Sequence, residues 1–137
     1  MTKSLKLIYV AHPVGHGEAR EENLKRALKW FHWLLHRHPD FAFAMPWYPY
    51  CLGTDESAEG RRRGLRDDLE AVRRCDEVWL VGGRVSPSME MEANEARRLF
   101  MPVNNTLLQF GPEPPAPQAP TLHEHLFQCA CGLVNDD

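Results

Sequence analysis

"DEVWLVGGRVSPSMEMEANEARRLFMPV", Asp76 to Val103, decides the fold of this chain. It opens on a nearly continuous apolar run, DEVWLVGG, the pattern of a strand covered by helices on both faces. A glycine-containing turn follows. Then Met89, Ala93, Ala96 and Phe100 recur at helical spacing, and MPV begins another apolar segment. Ser86 before Pro87 reads as an N-cap and a first helical position. Strand, helix and strand in succession form the repeating unit of a parallel sheet.

The same alternation extends in both directions. Leu5 to Ala11, "LKLIYVA", reads as a buried strand that ends at the loop "HPVGHG". The segment "EAREENLKRALKWFHWLLHRH" reads as a helix with Leu24, Leu28, Phe31 and Leu35 on its inward stripe. Trp30 and Trp33 fall off that stripe, so this helix either makes a second contact, with another subunit, or is buried on both sides. "FAFAMPW" reads as a second strand and "YPYCLGTD" as a loop. Ser57 caps a helix running to about Arg74, with Leu65, Leu69 and Val72 facing in. "MPVNNTLLQF" supplies the fourth strand, "GPEPPAPQAP" a proline-rich connector, and "TLHEHLFQCACGLV" one short helix. No internal repeat is present. The expected fold is α/β: a Rossmann- or flavodoxin-like three-layer sandwich with a mostly parallel sheet of four or five strands. It occupies residues 1–111, and residues 112–137 form the connector and tail.

A chain of 137 residues, 43% hydrophobic, supports one domain with a single core. A net charge of −3 gives no reason to expect a nucleic-acid polymer as partner. Arg61, Arg62, Arg63, Arg66, Arg73 and Arg74 alternate with Asp67, Asp68 and Glu70, the pattern of a solvated, salt-bridged helix face. No apolar run approaches the ~20 residues that span a bilayer, and the start lacks a signal-peptide pattern. No membrane association is therefore expected, the expected location is the cytoplasm, and Cys51, Cys75, Cys129 and Cys131 should be reduced thiols.

Ligands of parallel α/β sheets sit beyond the carboxyl ends of the strands, at a switch point. Three segments converge there: "AHPVGHG", "PWYPYCLGTD" and "GGRVSPS". Gly82 and Gly83 allow close backbone approach to a ligand or a positive φ. The hydroxyls of Ser86 and Ser88, with free N–H groups at the helix start, make either an anion site or an ordinary cap. The loop has neither the G-K-[ST] of phosphate loops nor the G-x-G-x-x-G of dinucleotide sites. On the helix, Glu92 lies roughly 60° from the centre of the inward stripe, whereas Glu90 and Glu95 lie about 100° and about 120° away. Glu92 is thus the glutamate nearest the covered face: either a boundary charge, or a functional carboxylate that the helix dipole favours as an anion. Trp47, Tyr48 and Tyr50 suit stacking on a planar base or packing of a proline-rich turn. Tyr9, His12 and His16 are placed near the same mouth. The spacing of His123, His125, Cys129 and Cys131 matches no standard zinc site, and no nucleophile elbow, H-E-x-x-H or C-x-x-C is present.

Together these segments resemble the nucleoside 2-deoxyribosyltransferase-like superfamily, in its small bacterial and phage forms. "YVAHP" is similar to the family's Y-x-A-[GS]-P start. "RCDEVWLVGG" and "SPSMEMEANEARRLFMPV" are similar to its third strand and its D-x-G-x-x-x-E-x-G-x-A-x-x-x-G-K-P-V helix. The likeness spans Leu5 to Val103. Asn94 and Phe100 stand where the family pattern has glycines, and Val81–Arg84 where it has an aspartate. The resemblance implies a glutamate nucleophile at Glu92, attacking the anomeric carbon of a nucleoside or nucleotide, with Tyr9 beside it. It implies a 5′-phosphate near Ser86 and Ser88, no metal or organic cofactor, and a homodimer or larger homo-oligomer. A nucleotide-binding module without turnover is the alternative on the same fold. A third expectation is an interaction protein that uses the tryptophan face and the tail.

Overall fold

The computed structural model describes residues 4–53 and 57–116. Four strands form one sheet: β1 (Lys6–Ala11), β2 (Phe41–Ala44), β3 (Glu77–Leu80) and β4 (Val103–Asn104). Their order is β2-β1-β3-β4, and every pairing is parallel. The helices are α1 (Gly17–Arg37), α2 (Trp47–Gly53), α3 (Ala58–Arg73) and α4 (Pro87–Arg98), with a 3₁₀ turn at Thr106–Phe110. This is a doubly wound, flavodoxin-like sandwich, whose switch point lies where β1 and β3 part.

Alternation along each strand builds the layers. Tyr9, Ala11, Val78 and Leu80 share one face with Val72 of α3 and Met89, Ala93 and Ala96 of α4. Ile8, Val10, Trp79 and Val81 face the other way, onto Trp30 and Leu34 of α1 and Leu107. Right-handed crossovers leaving β1 and β3 in opposite directions put α1 and α4 on opposite faces of the sheet.

Four expectations need correction. Of the expected inward stripe of α1 Leu24 is buried, but its other buried residues are Asn23, Ala27, Trp30 and Leu34, while Leu28 and Leu35 remain 39% and 38% exposed. Both stripes have helical spacing. The small Ala27 lets α1 approach the sheet, and the indole N–H of Trp30 is satisfied by the carbonyl of Pro112 at 2.9 Å. Trp30 is therefore core, and Trp33 packs edge-on against it with ring centroids 5.6 Å apart. Of the two tryptophans, Trp30 is fully buried and Trp33 is half-buried. The expected loop after β2 is the short helix α2.

The expected fourth strand is only two residues long. Asn104 ends it by accepting hydrogen bonds from the Thr106 backbone N–H at 2.9 Å and hydroxyl at 2.7 Å, which starts the 3₁₀ turn. Finally, Phe100 is not on the inward stripe. It follows the end of α4 at φ 58°, with 97% of its surface exposed, while Met101 N–H bonds to the Ala96 carbonyl at 2.9 Å.

Among the described residues, no helix is long and apolar enough to cross a membrane. The expected tail helix, with His123, His125, Cys129 and Cys131, lies outside the described residues.

Candidate functional site

The centre of the site is a buried pair between sheet and helix. Tyr9 sits in the middle of β1, on the α4 side, with no exposed surface. Its hydroxyl donates to Oε2 of Glu92, in the second turn of α4. Glu92 is itself 4% exposed. The helix is aimed by its start: Ser86 Oγ accepts from Met89 N–H at 3.3 Å, Met89 sulfur accepts from Ser86 N–H at 3.4 Å, and Pro87 follows the cap.

The three glutamates therefore part company. Glu90 is exposed and lies 3.5 Å from Arg97. Glu95 is held by Arg98 and by Arg73 at 2.9 Å, and hydrogen bonds from those guanidinium groups draw its pKa down to about 2. Glu92 alone faces the core.

Burial overrides the helix dipole at Glu92. Loss of solvent pushes its pKa up to about 8, against the lowering effect of the Tyr9 hydrogen bond, and the negative charge of Asp68 adds to the rise. Tyr9 is raised well above its usual value, first by burial and then by the charge of Glu92. The expectation of a dipole-stabilised anion is thus corrected. At neutral pH Glu92 holds its proton for most of the time, because a dipole acting over one turn does not replace lost hydration.

Asp68 is the residue that sequence reasoning missed. It lies on α3, half-buried, within electrostatic range of Glu92, Tyr9 and Cys51. Burial and then the neighbouring Asp67 raise its pKa to about 7. The signal was present: Gly64, Asp68 and Val72 are four residues apart, and both outer members are buried. Counting only leucines and valine selected the neighbouring stripe. Gly64 is small because Tyr50 lies against it, 2.8 Å from where a Cβ would stand. The thiol of Cys51, half-buried, is also raised by burial.

The other expected residues scatter. Trp47 is 5% exposed and packs in the core cluster around Tyr9, and its indole donates to the Val10 carbonyl at 2.8 Å. It is a wall of the core and presents no open face for stacking. Tyr48, half-buried, packs edge-on to it with centroids 6.1 Å apart. His12 projects onto the α1 side, one position out of phase with Tyr9 and Ala11, and groups with Arg84, Arg26 and Glu113. His16 is exposed at the start of α1 and caps nothing with its side chain. Ser86 is the α4 cap, and Ser88 is exposed in the first turn.

Gly82 and Gly83 make room for the protein's own chain. At Gly82 (φ 101°) a Cβ would fall 2.7 Å from Pro13 and 2.8 Å from the His12 ring. At Gly83 (φ 83°) it would fall 2.6 Å from the Gly111 backbone. A recess of about 540 Å³ lined by Tyr50, Ser57, Glu59, Gly60, Arg62, Arg63 and Arg66 lies at the start of α3 and includes neither Tyr9 nor Glu92. Its one carboxylate, Glu59, is exposed beside arginines, whereas Glu92 is buried against Tyr9, so the Tyr9–Glu92 pair is the stronger candidate.

Fold and site define an α/β domain with a buried carboxyl–phenol pair under a flavodoxin-like sheet. Residues 6–106 match the model of a family described as a domain of unknown function, DUF7768, and the chain belongs to that family. No curated protein matches it.

Proposed function

We propose that this protein cleaves or exchanges the N-glycosidic bond of a nucleoside or nucleotide, with Glu92 as nucleophile. The observation that carries the reading is the buried hydrogen bond from Tyr9 to Glu92, which joins the two residues that the resemblance to nucleoside 2-deoxyribosyltransferase-like proteins singles out. A second support is Phe100. Its φ of 58° is one that glycine adopts freely, at the position where that family pattern has glycine.

In the proposed reaction, ionised Glu92 attacks the anomeric carbon. The C–N bond breaks, its electron pair stays with the base, and the base takes a proton from neutral Asp68. The glycosyl ester is then resolved by water or by another base. Tyr9 fixes the attacking oxygen. Ser86, Ser88 and the start of α4 supply donors for a phosphate or sugar hydroxyl. The test is Glu92→Gln, expected to lower release of free base on the order of 10³-fold or more with the fold intact. Unchanged turnover would end the reading.

A second reading, a nucleotide-binding module without turnover, draws on the depth of Glu92, which holds the carboxyl protonated. Calorimetry against a nucleotide panel, with chromatography for free base, separates the two: binding without base release favours the module.

A further inference from the structure

His12 stands where β1 and β3 part. Its Nδ1 lies 2.6 Å from the Pro13 carbonyl oxygen. A carbonyl only accepts, so Nδ1 carries the proton and Nε2 keeps a bare lone pair. Nε2 is sealed from solvent and has no hydrogen-bond partner, the only buried side-chain nitrogen or oxygen in that state among the described residues. The residue is 4% exposed, and burial lowers its pKa to about 4, so the ring is neutral near pH 7.

The surroundings are shaped to this ring. A Cβ on Gly82 would stand 2.8 Å from Cδ2 and 2.9 Å from Nε2. Buried acceptors are ordinarily paired, and an apolar side chain would fill the same space without an orphaned lone pair. The position, at the carboxyl ends of parallel strands, is where ligands of this architecture bind.

A covering segment, Gly111–Glu113, meets the same loop one residue along from Gly82, at Gly83. A Cβ on Gly83 would stand 2.6 Å from Gly111 and 2.7 Å from Pro112. They are held by the Trp30 bond to Pro112 at 2.9 Å and by Glu113, 3.0 Å from Arg26 and 3.6 Å from Lys29. Those ion pairs are partly solvated, so opening them costs little.

We propose that His12 reads the ligand: its Nε2 accepts a hydrogen bond from an uncharged donor, a hydroxyl or an amine, that enters the β1–β3 crevice when Gly111–Glu113 lifts. The choice of ligand rests on the nucleoside reading above. A bare imidazole nitrogen attracts a donor and repels phosphate or carboxylate oxygens. A nucleoside offers such donors in the 2′- and 3′-hydroxyls of its sugar ring and in an exocyclic amine.

The test uses the full chain and three probes: adenosine, purine riboside without the amine, and 2′,3′-dideoxyadenosine without the ring hydroxyls. Dissociation constants are measured by calorimetry for the wild type, His12→Asn and His12→Gln, with base release followed alongside. Asparagine keeps a donor for Pro13 and lacks the Nε2 acceptor, whereas glutamine restores an acceptor. His12→Asn should weaken adenosine binding about tenfold, and His12→Gln should recover most of it. The loss should vanish with whichever analogue lacks the donor that His12 meets, which tells amine from hydroxyl. Adenosine binding unchanged in His12→Asn, with base release intact, overturns this inference alone. Failure of all three probes to bind overturns it together with the nucleoside reading.

Discussion

A carboxyl group buried as deeply as Glu92 holds its proton well above the usual range, and two consequences follow for the residue itself. The first concerns rate. The proposed reaction needs Glu92 ionised and Asp68 protonated, and these groups titrate near about 8 and about 7. Activity should rise with pH as Glu92 ionises and fall as Asp68 does, giving a maximum between these values. Asp68→Asn should remove the falling limb of the pH–rate profile; a profile without curvature would count against the pairing. The second consequence concerns stability. The native state binds protons on Glu92 that the unfolded chain, with a value near 4.5, does not. Stability from this group is therefore full below about pH 4.5 and is lost as pH rises through about 8. Glu92→Gln should remove that loss and stabilise the protein on the order of 3 kcal/mol at pH 8, with much less gain at pH 5. Urea midpoints at the two pH values check the sign.

Among the elements, α4 carries most of the geometry of the candidate site. Its cap at Ser86 and Pro87 fixes the start, and the buried stripe of Met89, Ala93 and Ala96 fixes its rotation. Together they bring Glu92 over Tyr9. The helix ends at Phe100, an exposed aromatic in the left-handed region, which costs an L-residue about 1–2 kcal/mol. Phe100→Gly should therefore raise stability by about 1 kcal/mol and leave the Tyr9–Glu92 pair in place. Thermal unfolding measures this, and an unchanged or lower midpoint would show that the side chain stabilises the turn. In α1, the choice between two helical stripes was settled by Ala27 and by the partner that Trp30 finds at Pro112.

At the scale of the molecule, the segment after the 3₁₀ turn closes the carboxyl end of the sheet. It is joined to α1 through Trp30 and Glu113 and to the β3 loop through Gly83. Trp30→Phe keeps the apolar bulk and deletes the bond to the Pro112 carbonyl. The expected cost is about 1 kcal/mol, with faster proteolysis after residue 111. A variant with wild-type stability and an equally protected segment would mean that packing alone holds the cover.

The sequence by itself determined the parallel α/β architecture, because strand runs and helical stripes are local patterns and their alternation admits few topologies. It also placed Glu92 nearest the covered face among the three glutamates, since the rotation of one capped helix can be counted residue by residue. Asp68 was half legible: its four-residue spacing to Gly64 and Val72 was visible, but a stripe containing glycine and aspartate does not read as buried. Three other matters lay beyond the sequence. Whether Gly82 and Gly83 serve a ligand or the chain depends on His12, Pro13 and Gly111, distant in sequence and adjacent only after folding. The inward face of α1 depends on a carbonyl at Pro112. The protonation of Glu92 depends on how completely Tyr9 and the core exclude water, and desolvation, unlike periodicity, belongs to the packed whole and to no segment of it.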